Sequence, residues 1–408
     1  LIIDEYDNFT NVILSEHGQR MFHDLTHASG FYREYFKQFK GMFDRIFMMG
    51  VSPVTLDGLS SGYNIDWNIS VDEIFNAMMG FEEAEVREMF RYYQQNDMLK
   101  GDVEAMITEM KPWYDNYCFA RMSLNDDRVF NCDMTLYYLN YQVERGSSPE
   151  EMVDKNIRTD YSKLKMLARI DRDSVQEGDR MSTIEKIAAE GDIFVDLHTS
   201  FPAERITDID NFRSLLYYYG LLTMCGTRGD LVKMSIPNNC VREQYFGFLR
   251  DYYQKYSSID LHYLNVMLTD MAYDGRWKPF FESVAQAYRE NSAVRDAMEG
   301  ERNLQGFLKA YLALASYYLV EPELEMNYGY CDFFLLPDKK RYPDVKHSYI
   351  LELKYATRTA TDAELEVQAL EGRKQLLRYS EDKIVRCLSE GTTLHRLLLQ
   401  FRGWDLVR

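Results

Sequence analysis

The sequence has few cysteines and prolines, and it lacks any long apolar run. Its 6 cysteines form no CxxC pair in a chain of 408 residues, so neither a disulfide scaffold nor a paired-cysteine zinc site is expected. No stretch reaches the ~18 to 20 apolar residues that span a bilayer, and we expect no membrane partner. We therefore interpret the cysteines as reduced thiols of a cytoplasmic globular protein.

Positive charge is also scarce. The chain has 47 Lys and Arg against 65 Asp and Glu, a net charge of -18, so a polyanion is repelled by most of its surface. The excess of acidic residues is concentrated in one part of the chain. Residues 1–290 contain 30 basic and 47 acidic side chains, whereas residues 291–408 contain 17 and 18. A nucleic-acid site is therefore expected only in the last region.

A third absence concerns nucleotide binding. No GxxxxGK[ST] loop occurs, so the backbone cradle and the lysine that bind nucleotide phosphates are missing from the sequence. The chain begins with Leu1 and enters an apolar run directly. We expect that an N-terminal segment is missing, and that ATP binds only to a longer form with a phosphate loop upstream.

The first region has the pattern of a βαβ unit. Leu1-Ile2-Ile3 predicts a buried strand that ends in Asp4 and Glu5, and residues 45–52 predict a second strand that ends at Ser52, with a helix over 17–43 between them. Further helices are predicted over 71–79, 82–96 and 102–110. Two carboxylates at a strand end suit a nucleotide hydrolase, one for Mg²⁺ and one for water. Solvated acids at a strand end are the alternative.

The middle of the chain is predicted to be helical over 135–189. It is then predicted to form a helix, a hairpin around Gly226-Thr227-Arg228-Gly229-Asp230 and a second helix over 240–253. This order is typical of a winged-helix module. Its second helix offers only Arg242 and Arg250 as cations, beside two acids, so we expect it to dock within the protein rather than on DNA.

The last region predicts an α/β sandwich. A helix over 301–318 precedes strands over 319–326, 330–336 and 347–354, followed by a helix over 363–379 and strands over 383–387 and 394–402. Glu352 and Lys354 lie two apart on one strand and share a face, and a turn through 337–343 can bring Asp332 beside them. Lys339, Lys340, Arg341 and Lys346 are expected to flank these residues.

Asp332, Glu352 and Lys354 supply the parts needed for phosphodiester hydrolysis. Two carboxylates with no neighbouring His favour Mg²⁺ or Mn²⁺, and a lysine can orient water or stabilise a phosphate. An exposed strand with alternating charges is the competing interpretation.

Two family resemblances rest on these residues. The motifs Leu1-Ile2-Ile3-Asp4-Glu5-Tyr6-Asp7, Phe47-Met48-Met49-Gly50-Val51-Ser52 and Trp113-Tyr114-Asp115-Asn116-Tyr117-Cys118-Phe119 resemble the AAA-ATPase-like family common in Bacteroidetes. This resemblance covers about 200 residues and implies nucleotide-binding roles for Asp4 and Glu5 as Walker B carboxylates and for Ser52 as a sensor.

The second resemblance covers residues 291–408. Asp332, Glu352 and Lys354, with Glu301 before them and Gln375 after them, resemble the PD-(D/E)XK nuclease superfamily, in a branch fused to such ATPases. It implies that Asp332 and Glu352 bind the metal, that Lys354 is catalytic, and that Glu301 and Gln375 support the site. DNA or RNA would be the partner.

Together these patterns predict an α/β multidomain protein. The expected parts are a partial P-loop-type ATPase-like domain (1–125), a helical lid subdomain (126–205), a winged-helix-like module (206–256), a helical connector (257–290) and the nuclease-like sandwich (291–408). The predicted function is Mg²⁺-dependent nucleic-acid hydrolysis coupled to an ATPase-like module. The alternative is a non-catalytic interaction protein that keeps both folds as relics. Oligomeric state is left open.

Overall fold

The chain folds into two compact units. In the computed structural model they comprise Leu1–Ile187 with Gly191–Tyr245, and Ala188–Glu190 with Phe246–Arg408. The residues that the structure describes are 1–7, 38–39, 42–51, 53, 67–126, 128–154, 164, 167–168, 177–201, 205, 208–254, 259–290, 301–315, 317–326 and 329–408.

The first unit opens with two short parallel strands, β1 (Ile2–Ile3) and β2 (Phe47–Met48). Tyr6, which follows β1, is buried against Met48 and Phe39. The parallel pairing predicted from the sequence is confirmed, whereas nearly all of the helix predicted over 17–43 lies outside the described residues.

A helical layer follows. It contains β3 (Phe81–Glu82), α1 (Glu83–Gln95), α2 (Val103–Tyr114), β4 (Val129–Phe130) and α3 (Cys132–Arg145). The helices start at side-chain caps, since Asp102 accepts a hydrogen bond from the Glu104 amide and Asn131 accepts one from Met134. Their apolar faces meet in one core that includes Phe90, Met110, Tyr114, Phe130 and Tyr138.

The helix predicted over 71–79 is wrong. The described residues there form only a 3₁₀ turn, Glu73–Phe75. Its end is fixed by Asn76, whose side-chain oxygen accepts hydrogen bonds from the backbone amides of Phe119 and Ala120. A side chain that binds another segment in this way favours a turn over a continued helix.

Further along the chain lie α4 (Glu177–Glu190), β5 (Asp192–Val195), α5 (Ile209–Tyr218), β6 (Thr223–Arg228), β7 (Leu231–Ser235) and α6 (Asn239–Gln254). The last three residues of α4 and the second half of α6 belong to the second unit. The predicted hairpin is confirmed as the antiparallel pair of β6 and β7. The strand β5 was not expected, and it pairs with the other edge of β7, giving the sheet order β5-β7-β6.

In the second unit, helices α7 (Leu261–Asp274), α8 (Lys278–Glu290) and α9 (Glu301–Leu312) precede a five-stranded sheet. Its strands are β8 (Tyr318–Met326), β9 (Gly329–Pro337), β10 (His347–Ala356), β11 (Thr393–Arg402) and β12 (Asp405–Leu406). The sheet order is β12-β11-β10-β9-β8, with β10 and β11 parallel and the other neighbours antiparallel.

The parallel pair is joined by α10 (Asp362–Glu381) and α11 (Lys383–Leu388), and α10 contacts both strands. The strand predicted over 383–387 is therefore wrong, because these residues are helical. Asp382 caps the helix by accepting a hydrogen bond from the Ile384 amide at 2.8 Å. The mixed α/β character predicted for this region is confirmed.

Within the part of the chain that is described, no helix combines the length and the apolar composition needed to cross a membrane.

Candidate active site

Asp332 lies where the pairing between β9 and β10 changes. The regular register runs from Tyr349–Leu335 to Leu351–Phe333. Beyond it, the backbone amide of Leu353 donates a 2.6 Å hydrogen bond to Asp332 Oδ2 instead. The carboxylate of Asp332 is thereby held against β10 between the positions of Glu352 and Lys354.

Glu352 and Lys354 form a buried ion pair on β10. Lys354 Nζ donates to Glu352 Oε1 at 2.7 Å. The side chain of Glu352 is only 4% exposed, and that of Lys354 is 16% exposed. This contact confirms that the two residues share a face of the strand, as the alternation of side chains requires. The second oxygen, Glu352 Oε2, is buried and has no hydrogen-bond partner among the described residues.

The stem of Lys354 packs under α10 at a glycine. A Cβ placed at Gly372 would lie 3.5 Å from both Cγ and Cε of Lys354. On the neighbouring strand, Gln400 is paired with Lys354 in the parallel register and is completely buried. Gln400 Nε2 donates to the Leu365 carbonyl and to Gln368 Oε1, which fixes α10 over the two strands.

Helix α9 supplies the opposite wall. Gln305 Nε2 donates to Asp332 Oδ1 at 2.9 Å, so both oxygens of Asp332 accept a hydrogen bond. Glu301 lies one turn before Gln305 and therefore on the same side of the helix. Burial, followed by the charge of Asp332, raises the pKa of Glu301, and Lys354 opposes this effect.

Gln375 lies on α10, three residues after Gly372 and four before Tyr379, so the three positions share a helix face. Its Oε1 atom is buried and has no hydrogen-bond partner within the described ranges. Burial and then the charge of Glu352 raise the pKa of Tyr379, which places this ring near the carboxylates. Gln375 forms no hydrogen bond to Asp332 or Glu352.

The electrostatics of this group are unusual for a strand surface. Burial and the Asp332 carboxylate raise the pKa of Glu352 to about 7, against the lowering effect of Lys354. For Lys354, burial lowers the pKa, but its hydrogen bond to Glu352 and the neighbouring acids outweigh burial and raise it. A site with excess buried acid is one that a cation stabilises.

Two residues of this site were missed by sequence reasoning. Gln305 lies one turn after Glu301, a signal that was available in the sequence, whereas Gln400 is the single amide in the run Leu397-Leu398-Leu399-Gln400-Phe401. The expectation that Lys339 and its neighbours flank the site is wrong. They lie in the connection between β9 and β10, at the opposite end of the hairpin from Asp332, and Lys339 Nζ donates there to the Glu390 carbonyl.

The predicted N-terminal site is only partly described. Asp4 and Glu5 are exposed at the end of β1, and Glu5 has a positive φ of 50°. Ser52 lies outside the described residues. The buried carboxylate here is Asp7, which accepts the Val51 amide on both oxygens at 3.1 and 3.2 Å and so connects the ends of β1 and β2.

No group of three or more His, Cys, Asp and Glu side chains with metal-binding geometry occurs in the described part of the chain. Asp332 and Glu352 nevertheless suit a hard divalent cation, because carboxylate oxygens are its preferred ligands and no described residue donates to the buried Glu352 Oε2.

Comparison with known families gives two matches. Residues 299–408 match the model described as PD-(D/E)XK nuclease superfamily, and residues 1–60 match the model described as predicted AAA-ATPase. No curated protein and no solved structure matches the chain. The chain thus combines an N-terminal region similar to the AAA-ATPase-like family with a C-terminal region similar to the PD-(D/E)XK nuclease superfamily.

Proposed function

We propose that the C-terminal domain hydrolyses phosphodiester bonds of DNA or RNA with the help of Mg²⁺ or Mn²⁺. The observation that carries this proposal is the buried group of Asp332, Glu352 and Lys354, in which Glu352 has one oxygen without a donor and a pKa raised to about 7. Perturbed acids beside a lysine are typical of functional sites.

Asp332 and Glu352 would hold the cation. When bound, it would polarise a water molecule and neutralise phosphate charge. The hydrogen bonds from Gln305 and Leu353 fix the orientation of the Asp332 carboxylate in advance, so little ordering is left for binding. A cation bound to Glu352 would neutralise its carboxylate, which otherwise pairs with Lys354. The ammonium of Lys354 would then be available to stabilise negative charge on the phosphate.

Glu301 and Gln375 complete the proposed site as supporting residues. Glu301 contributes further negative charge beside Asp332, and Gln375 offers a buried amide on α10. For the N-terminal region we propose a nucleotide-binding role for Asp4, Glu5 and Ser52 only in a form of the protein that also carries a phosphate loop, because the chain as printed has no GxxxxGK[ST] motif.

The test is metal-dependent cleavage of plasmid and single-stranded DNA and RNA by variants of the three residues. Asp332→Asn, Glu352→Gln and Lys354→Ala should each lower the cleavage rate by about 100-fold or more, in the range expected when a catalytic group is removed. Glu282→Gln and Lys278→Ala are matched controls, since both side chains are exposed and lie on α8, outside the proposed site.

Circular dichroism should show that all five variants keep the fold. If the wild-type chain cleaves none of these substrates with Mg²⁺ or Mn²⁺, or if the three site variants cleave at the rate of the controls, the proposal is wrong. The non-catalytic interaction protein would then be the better interpretation.

A further inference from the structure

The side chains of Arg358 and Trp404 are in contact just beyond the end of strand β10. Arg358 follows the end of β10 at Ala356, and Trp404 lies in the turn between β11 and β12. The guanidinium of Arg358 lies over the face of the Trp404 indole. Stacking of this kind holds an arginine in place while its N–H donors remain available in the plane of the group.

The turn is built to admit this arrangement. Gly403 has a positive φ of 58°, and a Cβ added there would meet Cγ of Arg358 at 2.5 Å. The Gly403 amide donates to the Ala356 carbonyl at 2.8 Å, which binds the turn to the end of β10. Glycine is therefore required at this position for two reasons. The positive φ disfavours other residues, and a side chain here would clash with the aliphatic part of Arg358.

Arg358 differs from the other arginines near this end of the sheet. Arg402 pairs with Asp362, Arg408 pairs with Glu366, and Arg289 pairs with Asp405. Arg358 is exposed and has no carboxylate partner within the described part of the chain. Its nearest polar neighbours in sequence are the hydroxyls of Thr357 and Thr359, which hydrogen-bond to each other.

We propose that Arg358, held by Trp404, binds a backbone phosphate of the nucleic-acid strand whose scissile bond lies at Lys354; this inference rests on the proposed function. The planar guanidinium matches the geometry of two phosphate oxygens. Arg358 lies four positions after Lys354 in the sequence, so their Cα atoms lie at most about 14 Å apart. That distance is compatible with one strand contacting both side chains, a few nucleotides apart.

The test measures binding rather than cleavage. All proteins carry Lys354→Ala, which keeps both carboxylates of the metal site, and binding of a fluorescent single-stranded DNA is followed by anisotropy at several salt concentrations with Mg²⁺. Adding Arg358→Ala should weaken binding and reduce the slope of log K against log salt by about 0.7, the value for one phosphate contact on a single strand. Arg358→Lys should keep the slope.

Two further variants separate a phosphate contact from a structural effect. Gly403→Ala keeps the arginine but displaces its stem, and it should weaken binding in the same direction as Arg358→Ala. Arg408→Ala removes a nearby arginine that is paired with Glu366, and it should leave the slope unchanged.

The outcomes are distinguishable. If the Lys354→Ala parent binds DNA and Arg358→Ala has the slope of the parent, this inference is overturned while the proposed function stands. If the parent binds neither DNA nor an RNA of the same sequence, both are overturned.

Discussion

Glu352 is expected to make the proposed metal binding depend on pH. Its carboxyl has a pKa raised to about 7, chiefly by burial, so below pH 7 the group is largely protonated and must lose a proton before it can bind a cation. We expect the affinity for Mn²⁺ to be highest above pH 7 and to fall by up to about tenfold for each pH unit below it.

Calorimetric titration with Mn²⁺ between pH 5.5 and 8 checks this prediction. Glu371→Gln, which removes an exposed acid of α10, should keep the same profile. An affinity that stays constant across this range would contradict the role given to Glu352.

Gln305 is expected to act through Asp332. It donates to Asp332 Oδ1, and a ligand that loses its orienting hydrogen bond binds metal about 10- to 100-fold more weakly. Gln305→Ala should therefore weaken Mn²⁺ binding in calorimetry by about tenfold or more. The conservative variant Gln305→Asn, whose amide is one methylene further from Asp332, should have an intermediate affinity; wild-type affinity for both would refute the positioning role.

The sequence identified the charged residues that meet at this site but not the residues that support them. Glu352 and Lys354 could be recognised because strand alternation alone places them on one face. The position of Gln305 one turn after Glu301 was visible in the sequence, but the roles of Gln305 and Gln400 could not be assigned. Those roles depend on which helix face and which strand register meet Asp332 and Lys354. These contacts arise from the packing of segments that are distant in the sequence, and no local sequence pattern predicts them.

Among the elements, one helix and four strands of the second unit were predicted best, whereas the continuous helix predicted over 135–189 is wrong because residues 146–154 are not helical. Helix α10 and strands β8 to β11 lie close to their expected bounds, since each has enough residues to establish a period. Residues 383–387 were predicted as a strand and form α11, because a run of six residues fits either period and the Asp382 cap decides between them. The strand β5 was missed for the same reason, having only four residues.

Helix α6 provides a prediction at this scale. Its two candidate DNA contacts are already engaged, since Arg242 donates to Asn239 Oδ1 and Arg250 donates to the Ala313 carbonyl. Arg242→Ala and Arg250→Ala should each leave DNA affinity within about twofold and the salt slope unchanged. The anisotropy assay used for Arg358 measures both quantities, and a slope reduced by about 0.7 would instead assign DNA binding to this helix.

For the whole molecule, charge and motif content limit the partners. The net charge of -18 is concentrated in residues 1–290, so the balanced C-terminal part is the one region that a polyanion can approach without strong repulsion. The phosphate loop is absent from the sequence as printed, and Asp4 and Glu5 are exposed.

We therefore expect the 408-residue chain to show no micromolar binding of Mg-ATP in calorimetry. Carboxylates can hold only the metal side of a nucleotide, which is too little without donors to the phosphates. Asp4→Asn should behave like the parent. Saturable micromolar binding that Asp4→Asn abolishes would show that the N-terminal region binds ATP by other means.

The parallel pairing of β10 with β11 has a consequence for how the chain is made. Lys354 lies on β10, but its cross-strand neighbour Gln400 follows almost fifty residues later, so during translation the site is assembled only after β11 has left the ribosome. A chain cut before Thr393 would leave one side of β10 as an open edge of apolar residues, which invites pairing with another chain. Such truncated products are expected to be both inactive and prone to aggregate.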